Sequence, residues 1–320
     1  MTKLLLRGDA SPTIGAGHIS RLVAYAERAV ARGWEVSFSG SIDNAEWLAV
    51  RFDELGVPRL PAPPVLGELA AGFDAVLVDH YGLGELRKEV NAAGASLISV
   101  EDGTFGRRAA DVVADCAFAP ASRPDDGSGV LLCGVTYAPL RDVVLRARER
   151  RVASVVGEPL RVTVVLGGGG EWVGVVSTLL RALRDTGLPF EADVLVRGEP
   201  EIPSLAANQR IRVSPPGTGL LDLLVDTDLA LSAAGVTLLE LCCLGVPTGM
   251  IQLVDNQAAG YRGALDLGLA AGLGHASSLG SEVTEVLAEL LTSSSARKSL
   301  SVTSSSLVDG QGADRVLDAL

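Results

Sequence analysis

Short runs of apolar residues recur along the chain, and between them lie segments whose apolar residues return every three or four positions. The runs predict strands at Leu4–Arg7, Val36–Ser39, Ala75–Asp79, Ser96–Val100 and Val130–Cys133 in the first half. In the second half they predict strands at Arg161–Leu166, Ala192–Val196, Ile211–Val213, Leu229–Ser232 and Thr248–Leu253. The runs are continuous, not alternating, as a parallel sheet covered on both faces requires. The clearest helix is Ile19–Arg32, where Ile19, Leu22, Val23, Ala26, Ala29 and Val30 form one stripe and Gly33 can end it. Ser177–Arg184 and Leu238–Leu244 are further helices.

Two blocks of strands alternating with helices imply an α/β chain with two Rossmann-like, doubly wound parallel-sheet domains. The expected division is 1–150 and 151–320, with the last helix packing back on the first domain. The boundary falls in Arg141–Pro159, an arginine-rich helical stretch that reads as a solvated helix and a turn. No repeat of solenoid length is visible. The serine-rich stretches Thr292–Ser295 and Ser299–Ser306 read as polar punctuation.

The 320 residues suffice for two ordinary domains, and 48% hydrophobic with 21% charged residues suits a globular protein. A net charge of −12 without a Lys/Arg run speaks against nucleic acid as a partner. An anionic substrate would then be met by backbone amides. The apolar run near Met1 is far too short for a signal peptide or a membrane span, so no integral membrane association is expected. Cys116, Cys133, Cys242 and Cys243 make no CxxC, and three histidines give no zinc spacing. Reduced thiols and a cytoplasmic location fit this usage.

Five segments carry candidate chemistry. Arg7-Gly8-Asp9-Ala10-Ser11-Pro12-Thr13-Ile14-Gly15-Ala16-Gly17-His18-Ile19-Ser20-Arg21 follows the first strand and opens the clear helix. Its glycines permit a tight turn and close approach of a ligand. His18 then stands at a helix N-terminus, where a neutral imidazole would serve as a general base. A dinucleotide fingerprint fits less well. Ser20 stands where a third Gly or Ala belongs, and Ser39-Gly40-Ser41 offers no acid at the end of the second strand. A histidine that only caps or packs is the plainer alternative.

Leu166-Gly167-Gly168-Gly169-Gly170 directly follows a strand. Four glycines are entropically costly, and a turn of amides beside a phosphate is one reason to keep them. A flexible loop is the other reading. In the segment from Asp228 through Ser232, Ala233, Ala234, Gly235, Val236 and Thr237 to Glu240, a strand ends in small residues and a helix begins near Val236. Its first amides and the Thr237 hydroxyl suit a diphosphate, with Glu240 one turn inside for ribose hydroxyls. Thr237 and Glu240 also fit a simple capping arrangement. Val78-Asp79-His80-Tyr81-Gly82 and Asp255-Asn256-Gln257 each follow a strand, at the carboxyl edge where parallel sheets bind ligands. His275 has no such setting and reads as surface.

Taken in order, several pieces resemble one family: Ile14 to Arg21, Val78 to Gly82, Cys133 to Arg141, Ser232 to Glu240, Asn256-Gln257 and Val308 to Arg315. The set is similar to the pseudaminic-acid pathway nucleotide-sugar hydrolases, which release UDP from a diacetamido-trideoxy sugar. Spore-coat polysaccharide proteins and MurG-like glycosyltransferases are related to these by the GT-B architecture. The resemblance covers nearly the whole chain and implies a GT-B fold with an interdomain cleft. It implies that His18 activates a water that attacks the anomeric carbon with inversion, and that Tyr81 and Asn256 line the reaction site. Gly15, Gly17, Arg21, Asp79 and Gln257 would contact the sugar. Gly167, Gly168, Gly169, Ser232, Ala234, Gly235, Val236, Thr237 and Glu240 would hold the nucleotide. No metal and no cofactor are implied.

Two departures bear on the substrate. The family usually carries Gly-Gly-Ser/Thr-Asp where this chain has Gly168-Gly169-Gly170, and Glu101-Asp102 replaces an Asp-Asp pair. The leading expectation is an inverting hydrolase of a nucleotide-linked amino or deoxy sugar. A glycosyltransferase of the same fold is the alternative, followed by a nucleotide-binding protein without catalysis.

Overall fold

A computed structural model describes residues 1–11, 14–43, 45–151, 159–167, 170–217 and 219–320. The described chain separates into two compact units, one of residues 1–142 with 310–320 and one of residues 143–309.

Among the described residues, the first unit holds a seven-stranded parallel sheet. Its strands are β1 (Lys3–Arg7), β2 (Glu35–Ser39), β3 (Arg59–Leu60), β4 (Ala75–Val78), β5 (Ser96–Glu101), β6 (Val112–Asp115) and β7 (Val130–Cys133). Their spatial order is β3-β2-β1-β4-β5-β6-β7. The chain therefore starts mid-sheet, winds to one edge, then returns to build the other. The reversal lies between β1 and β4. Helices α1 (Gly17–Ala31), α2 (Glu46–Glu54), α3 (Leu66–Ala70) and α4 (Arg87–Ala92) cover the sheet.

Alternate residues of β1 serve opposite faces. Leu4 and Leu6 join the cluster of Ile19, Leu22, Val23 and Ala26 from α1. Leu5 joins Leu66, Ala70 and Val90 from α3 and α4. Burying each large aliphatic side chain contributes ~1.5–3 kcal/mol, which is why the strands read as unbroken apolar runs. Helix α1 ends where its pattern predicts. Gly33 adopts φ +74°, its N–H bonds the Val30 carbonyl at 2.9 Å, and the Trp34 N–H reaches back to Ala29 at 3.1 Å. This closure needs a residue tolerant of the left-handed region, and glycine is that residue.

The second unit repeats the plan with six parallel strands among the described residues. They are β8 (Leu160–Val165), β9 (Phe190–Leu195), β10 (Gln209–Ser214), β11 (Leu229–Ala233), β12 (Thr248–Gln252) and β13 (Ala271–His275), ordered β10-β9-β8-β11-β12-β13. The helices are α5 (Asp142–Arg150, whose first residue closes the first unit), α6 (Val173–Asp185), α7 (Leu220–Val225), α8 (Val236–Leu244), α9 (Ala258–Asp266), α10 (Glu282–Thr292) and α11 (Ser294–Leu307). Leu179, Leu180 and Leu183 of α6 and Leu287 and Leu290 of α10 cover one sheet face. Here the reversal lies between β8 and β11.

The last helix, α12 (Gly312–Leu317), belongs to the first unit. Ala313, Val316 and Leu317 enter the α1 core, and Arg315 donates to the Thr136 carbonyl at 2.9 Å. A Cβ on Gly312 would lie 2.3 Å from the Ala138 oxygen, so that helix can seat only with glycine there.

All ten expected strands are present, and three more join them: β3, β6 and β13. Strand β13 escapes a sequence reading because Gly272 and Gly274 look like breakers. The structure gives a packing reason: a Cβ on Gly272 would sit 2.5 Å from the Tyr261 hydroxyl oxygen, which accepts from the Gly274 N–H. His275 ends this strand and is half-buried, with Nδ1 accepting from the Ser277 N–H, rather than lying free at the surface. The arginine-rich stretch is also more than a solvated helix. Arg148 donates to the carbonyls of Cys243 and Ser305, and Arg151 to those of Leu224 and Val225. These cations thus neutralise the negative ends of α8, α11 and α7. Residues 152–158 of the expected boundary lie outside the described residues.

Candidate active site

In a doubly wound sheet the crevice opens outside the carboxyl ends of the strands where the winding reverses. In the first unit that point lies beyond β1 and β4. Gly8 follows β1 where a Cβ would lie 2.8 Å from the Asp79 carbonyl oxygen, so the two strand ends come close only with glycine. The Asp79 N–H bonds the Arg7 carbonyl at 2.9 Å and fixes Asp79 at the reversal. Helix α1 begins at Gly17, after Gly15 with φ +81°, and so brings His18 into the same place.

His18 Nδ1 stands 2.5 Å from Asp79 Oδ1. Arg21, one turn along α1, forks onto both Asp79 oxygens, from Nε at 2.6 Å and Nη2 at 2.8 Å. Arg21 Nη2 also lies 3.1 Å from His18 Nδ1. All three side chains are buried, Asp79 completely. Burial acts to raise the Asp79 carboxyl, but the Arg21 charge and hydrogen bonds from Arg21 and His18 outweigh it and hold it below its usual range. Asp79 is thus an ionised acceptor, which places the His18 proton on Nδ1 and leaves the Nε2 lone pair for chemistry. With Nδ1 protonated, the ring's hydrogen bond among the described residues is the one Nδ1–H donates to Asp79, and the nearby Arg21 Nη2 serves Asp79 as well rather than the imidazole. The resemblance puts Arg21 and Asp79 at the substrate; in the structure both are buried and bonded to each other, and Asp79 to His18.

His80 is a contrasting neighbour, its ring 6.4 Å from that of His18. His80 Nδ1 accepts from the N–H groups of Gly82 and Leu83, at 2.9 and 3.1 Å. Its Nε2 lies 3.0 Å from Asp9 Oδ2, which also receives Arg7 at 2.8 Å. Both ring nitrogens are engaged. Burial, with the charges of Arg7 and Arg108, pushes the His80 imidazole below its ordinary value despite Asp9. His80 is therefore a neutral strut.

Tyr81 lies edge-on to His18, with ring centroids 4.3 Å apart. Its hydroxyl donates to Asp102 at 3.1 Å, and burial raises its pKa. The loop that carries it is tied down by Arg108, which is 1% exposed. Arg108 donates to the carbonyls of His80 and Leu83 and to the Ser99 hydroxyl, while its own N–H bonds Glu101. Arg108, Asp9 and Phe105 are the residues of this region that a sequence reading misses. Asp9 sits inside the quoted first loop, but nothing in Gly106-Arg107-Arg108 marks the second arginine as buried.

In the second unit the reversal lies beyond β8 and β11. Gly167 follows β8 with φ +91°, while Gly168 and Gly169 lie outside the described residues. Leu166, Gly167, Gly170, Trp172 and Arg197 line a small cavity there. Ser232 is buried, and its hydroxyl is spent on the Val165 carbonyl at 2.8 Å. Ala234 is buried and bonds its N–H to Ile251. Gly235 is the N-cap of α8, and a Cβ there would meet nothing within 4 Å. The first N–H groups of α8, from Val236 and Thr237, have no acceptor within the helix and face that open end. Val236 is exposed and Thr237 half-buried, whereas Glu240 is buried in the helix.

Asn256 and Gln257 follow β12 in a 3-10 turn. Asn256 is exposed, and Gln257 accepts from the Leu253 N–H at 2.9 Å. The expected residues thus fall into two groups. His18, Arg21, Asp79 and Tyr81 come together in the first unit. Asn256 and Gln257 stand in the second, with the expected nucleotide residues. No helix among the described residues is long and apolar enough to cross a membrane.

No family model matches the chain, and no curated protein matches it. Solved structures do. The Acinetobacter baumannii MurG structure shares 18% identity, covers 99% of both chains and superposes with a TM-score of 0.61. The glycotransferase of kitacinnamycin gives 14% identity, 100% and 99% coverage and a TM-score of 0.66. UDP-GlcNAc 2-epimerase from Neisseria meningitidis, solved with UDP-GlcNAc bound, gives 11% identity, 99% coverage of both chains and 0.63. The chain has the GT-B fold. At such identities the likeness carries the architecture, two Rossmann-like units in series, and no reaction.

Proposed function

We propose that this chain is a GT-B enzyme that displaces a nucleoside diphosphate, UDP first among them, from a nucleotide-linked sugar with inversion at the anomeric carbon. The observation that carries the reading is the buried His18–Asp79–Arg21 chain. A binding protein has no need of an imidazole whose tautomer is set by an ionised carboxylate. In the proposed step, His18 Nε2 takes the proton of an O–H nucleophile. The nucleophile's oxygen bonds to the anomeric carbon as the bond from that carbon to the phosphate oxygen breaks. The leaving diphosphate keeps the electron pair, and the first amides of α8 with the turn at Gly167 would stabilise it. General-base assistance of this kind contributes about 10²–10⁴-fold.

In the first reading the nucleophile is an acceptor hydroxyl, which makes the enzyme a glycosyltransferase; that two of the three named neighbours of the same fold are MurG and a glycotransferase supports it. A second reading has water as nucleophile and makes it a hydrolase. The ordered motifs at His18, Tyr81 and Asn256, which resemble those of nucleotide-sugar hydrolases, favour it. One experiment separates the two. Purified protein is incubated with UDP-, CDP- and GDP-sugars in the absence of any acceptor. Stoichiometric free sugar and nucleoside diphosphate support hydrolysis. Binding without turnover, relieved by adding acceptor sugars or lipids, supports transfer. Turnover undiminished in His18→Ala overturns both.

A further inference from the structure

We propose that Phe105, with Tyr81, forms an aromatic platform that receives the apolar C–H face of the pyranosyl ring of the nucleotide sugar. The inference rests on the proposed function and adds the residue that senses the sugar. Phe105 is 51% exposed and Tyr81 39%. Their ring centroids lie 5.7 Å apart at 34°, and Tyr81 touches the His18 ring on its other side. Three rings thus run in file from the buried base to the surface.

The exposure of Phe105 is imposed by its backbone. The turn from Asp102 to Phe105 is closed by two reciprocal hydrogen bonds, Asp102 N–H to the Phe105 carbonyl at 3.1 Å and Phe105 N–H to the Asp102 carbonyl at 3.0 Å. Gly103 donates to Asp115 Oδ1 at 3.1 Å, and its carbonyl accepts from Arg107 at 2.9 Å. Gly106 follows at φ +74°, where a Cβ would lie 3.0 Å from Tyr81 Cδ1. Glycine lets the Tyr81 ring lie flush against the turn. A loop pinned at this many points holds its phenyl ring in water, where a solitary Phe gains nothing.

The chemistry of the pair indicates the ligand. The Tyr81 proton is committed to Asp102, so what the residue offers a ligand is its ring face and not a donor. Aromatic faces carry negative quadrupole density and attract the weakly positive C–H groups on the apolar side of a pyranose. A phosphate would find no donor in such a pair.

The test is equilibrium titration of wild type, Phe105→Ala and Phe105→Trp with a panel of UDP-sugars and with UDP as the sugar-free control. Phe105→Ala is expected to weaken the UDP-sugars about tenfold and leave UDP unchanged, with Phe105→Trp restoring affinity. Equal affinity for UDP-sugars in wild type and Phe105→Ala overturns the platform. An equal loss for UDP also overturns it, because the ring would then serve the nucleotide. Wild type that binds neither UDP-sugars nor UDP removes the proposed function itself, and the platform with it. Because Phe105 lies on the surface, its substitutions leave the core packing intact.

Discussion

Asp79 holds His18 by one oxygen and is itself held by Arg21 at both, so the imidazole's orientation and tautomer rest on a carboxylate with no exposure at all. Replacing Asp79 by Asn keeps the shape and removes the charge. His18 can then present its proton at Nε2, the wrong nitrogen for a base. Asp79→Asn is expected to lower kcat by about 10³-fold with little change in KM, read by steady-state release of nucleoside diphosphate. A loss below tenfold would show that the carboxylate does not set the base.

The same carboxyl leaves a signature in acid. Its native pKa lies below the ordinary 3.8, because Arg21 and His18 outweigh the effect of burial. The unfolded chain therefore binds the proton first as pH falls. The stability that Asp79 contributes is complete above the unfolded value and drains as pH drops from there toward the native pKa. Urea midpoints measured from pH 6 to pH 3 should fall more steeply for wild type than for Asp79→Asn. Parallel curves would exclude Asp79 as a linked group.

Arg108 is predicted to matter without touching substrate. Its guanidinium gathers the His80 and Leu83 carbonyls and the Ser99 hydroxyl beneath the loop that carries Tyr81. Arg108→Ala orphans those acceptors and should cost ~2–4 kcal/mol in denaturant titrations. Arg108→Lys cannot fork across them and should recover less than half. In protein that remains folded, kcat should fall more than UDP affinity, since UDP is proposed to bind the second unit.

At Gly235 two effects of one substitution run in opposite directions. Its φ of −141° suits any residue, and the space for a Cβ is open. Aspartate is a better N-cap than glycine, so Gly235→Asp should hold or slightly raise the melting temperature. The same carboxylate would repel a diphosphate at the α8 amides, and UDP should bind at least about tenfold more weakly. Unchanged UDP affinity would place the diphosphate elsewhere.

How far the sequence could be read depended on the range of each interaction. The α1 stripe and its closure at Gly33 are local, and both are visible as a period and a glycine. Strands β1, β4, β8 and β11 are buried on both faces and read as apolar runs. Strand β13 hides because its glycines answer to Tyr261, which lies on another element. At the site, His18 is marked by its loop, but its partner is 61 positions away. No pattern along the chain distinguishes a carboxylate that meets substrate from one that meets the histidine. Arg108 is silent for a similar reason: its guanidinium bonds two carbonyls, which every residue has, and one serine hydroxyl, and none of the three is marked in the sequence.

The return of α12 to the first unit gives the protein an order of assembly. The second unit is one unbroken run, 143–309, and can close as soon as that run has left the ribosome. The first unit, although it is made first, waits for residues 310–320, with Ala313, Val316 and Leu317 still missing from its core. During synthesis the earlier half is thus the later to finish, with part of its apolar core uncovered in the meantime. His18 lies on α1, the helix that α12 packs against. The histidine's support is therefore completed only after the other half has been made.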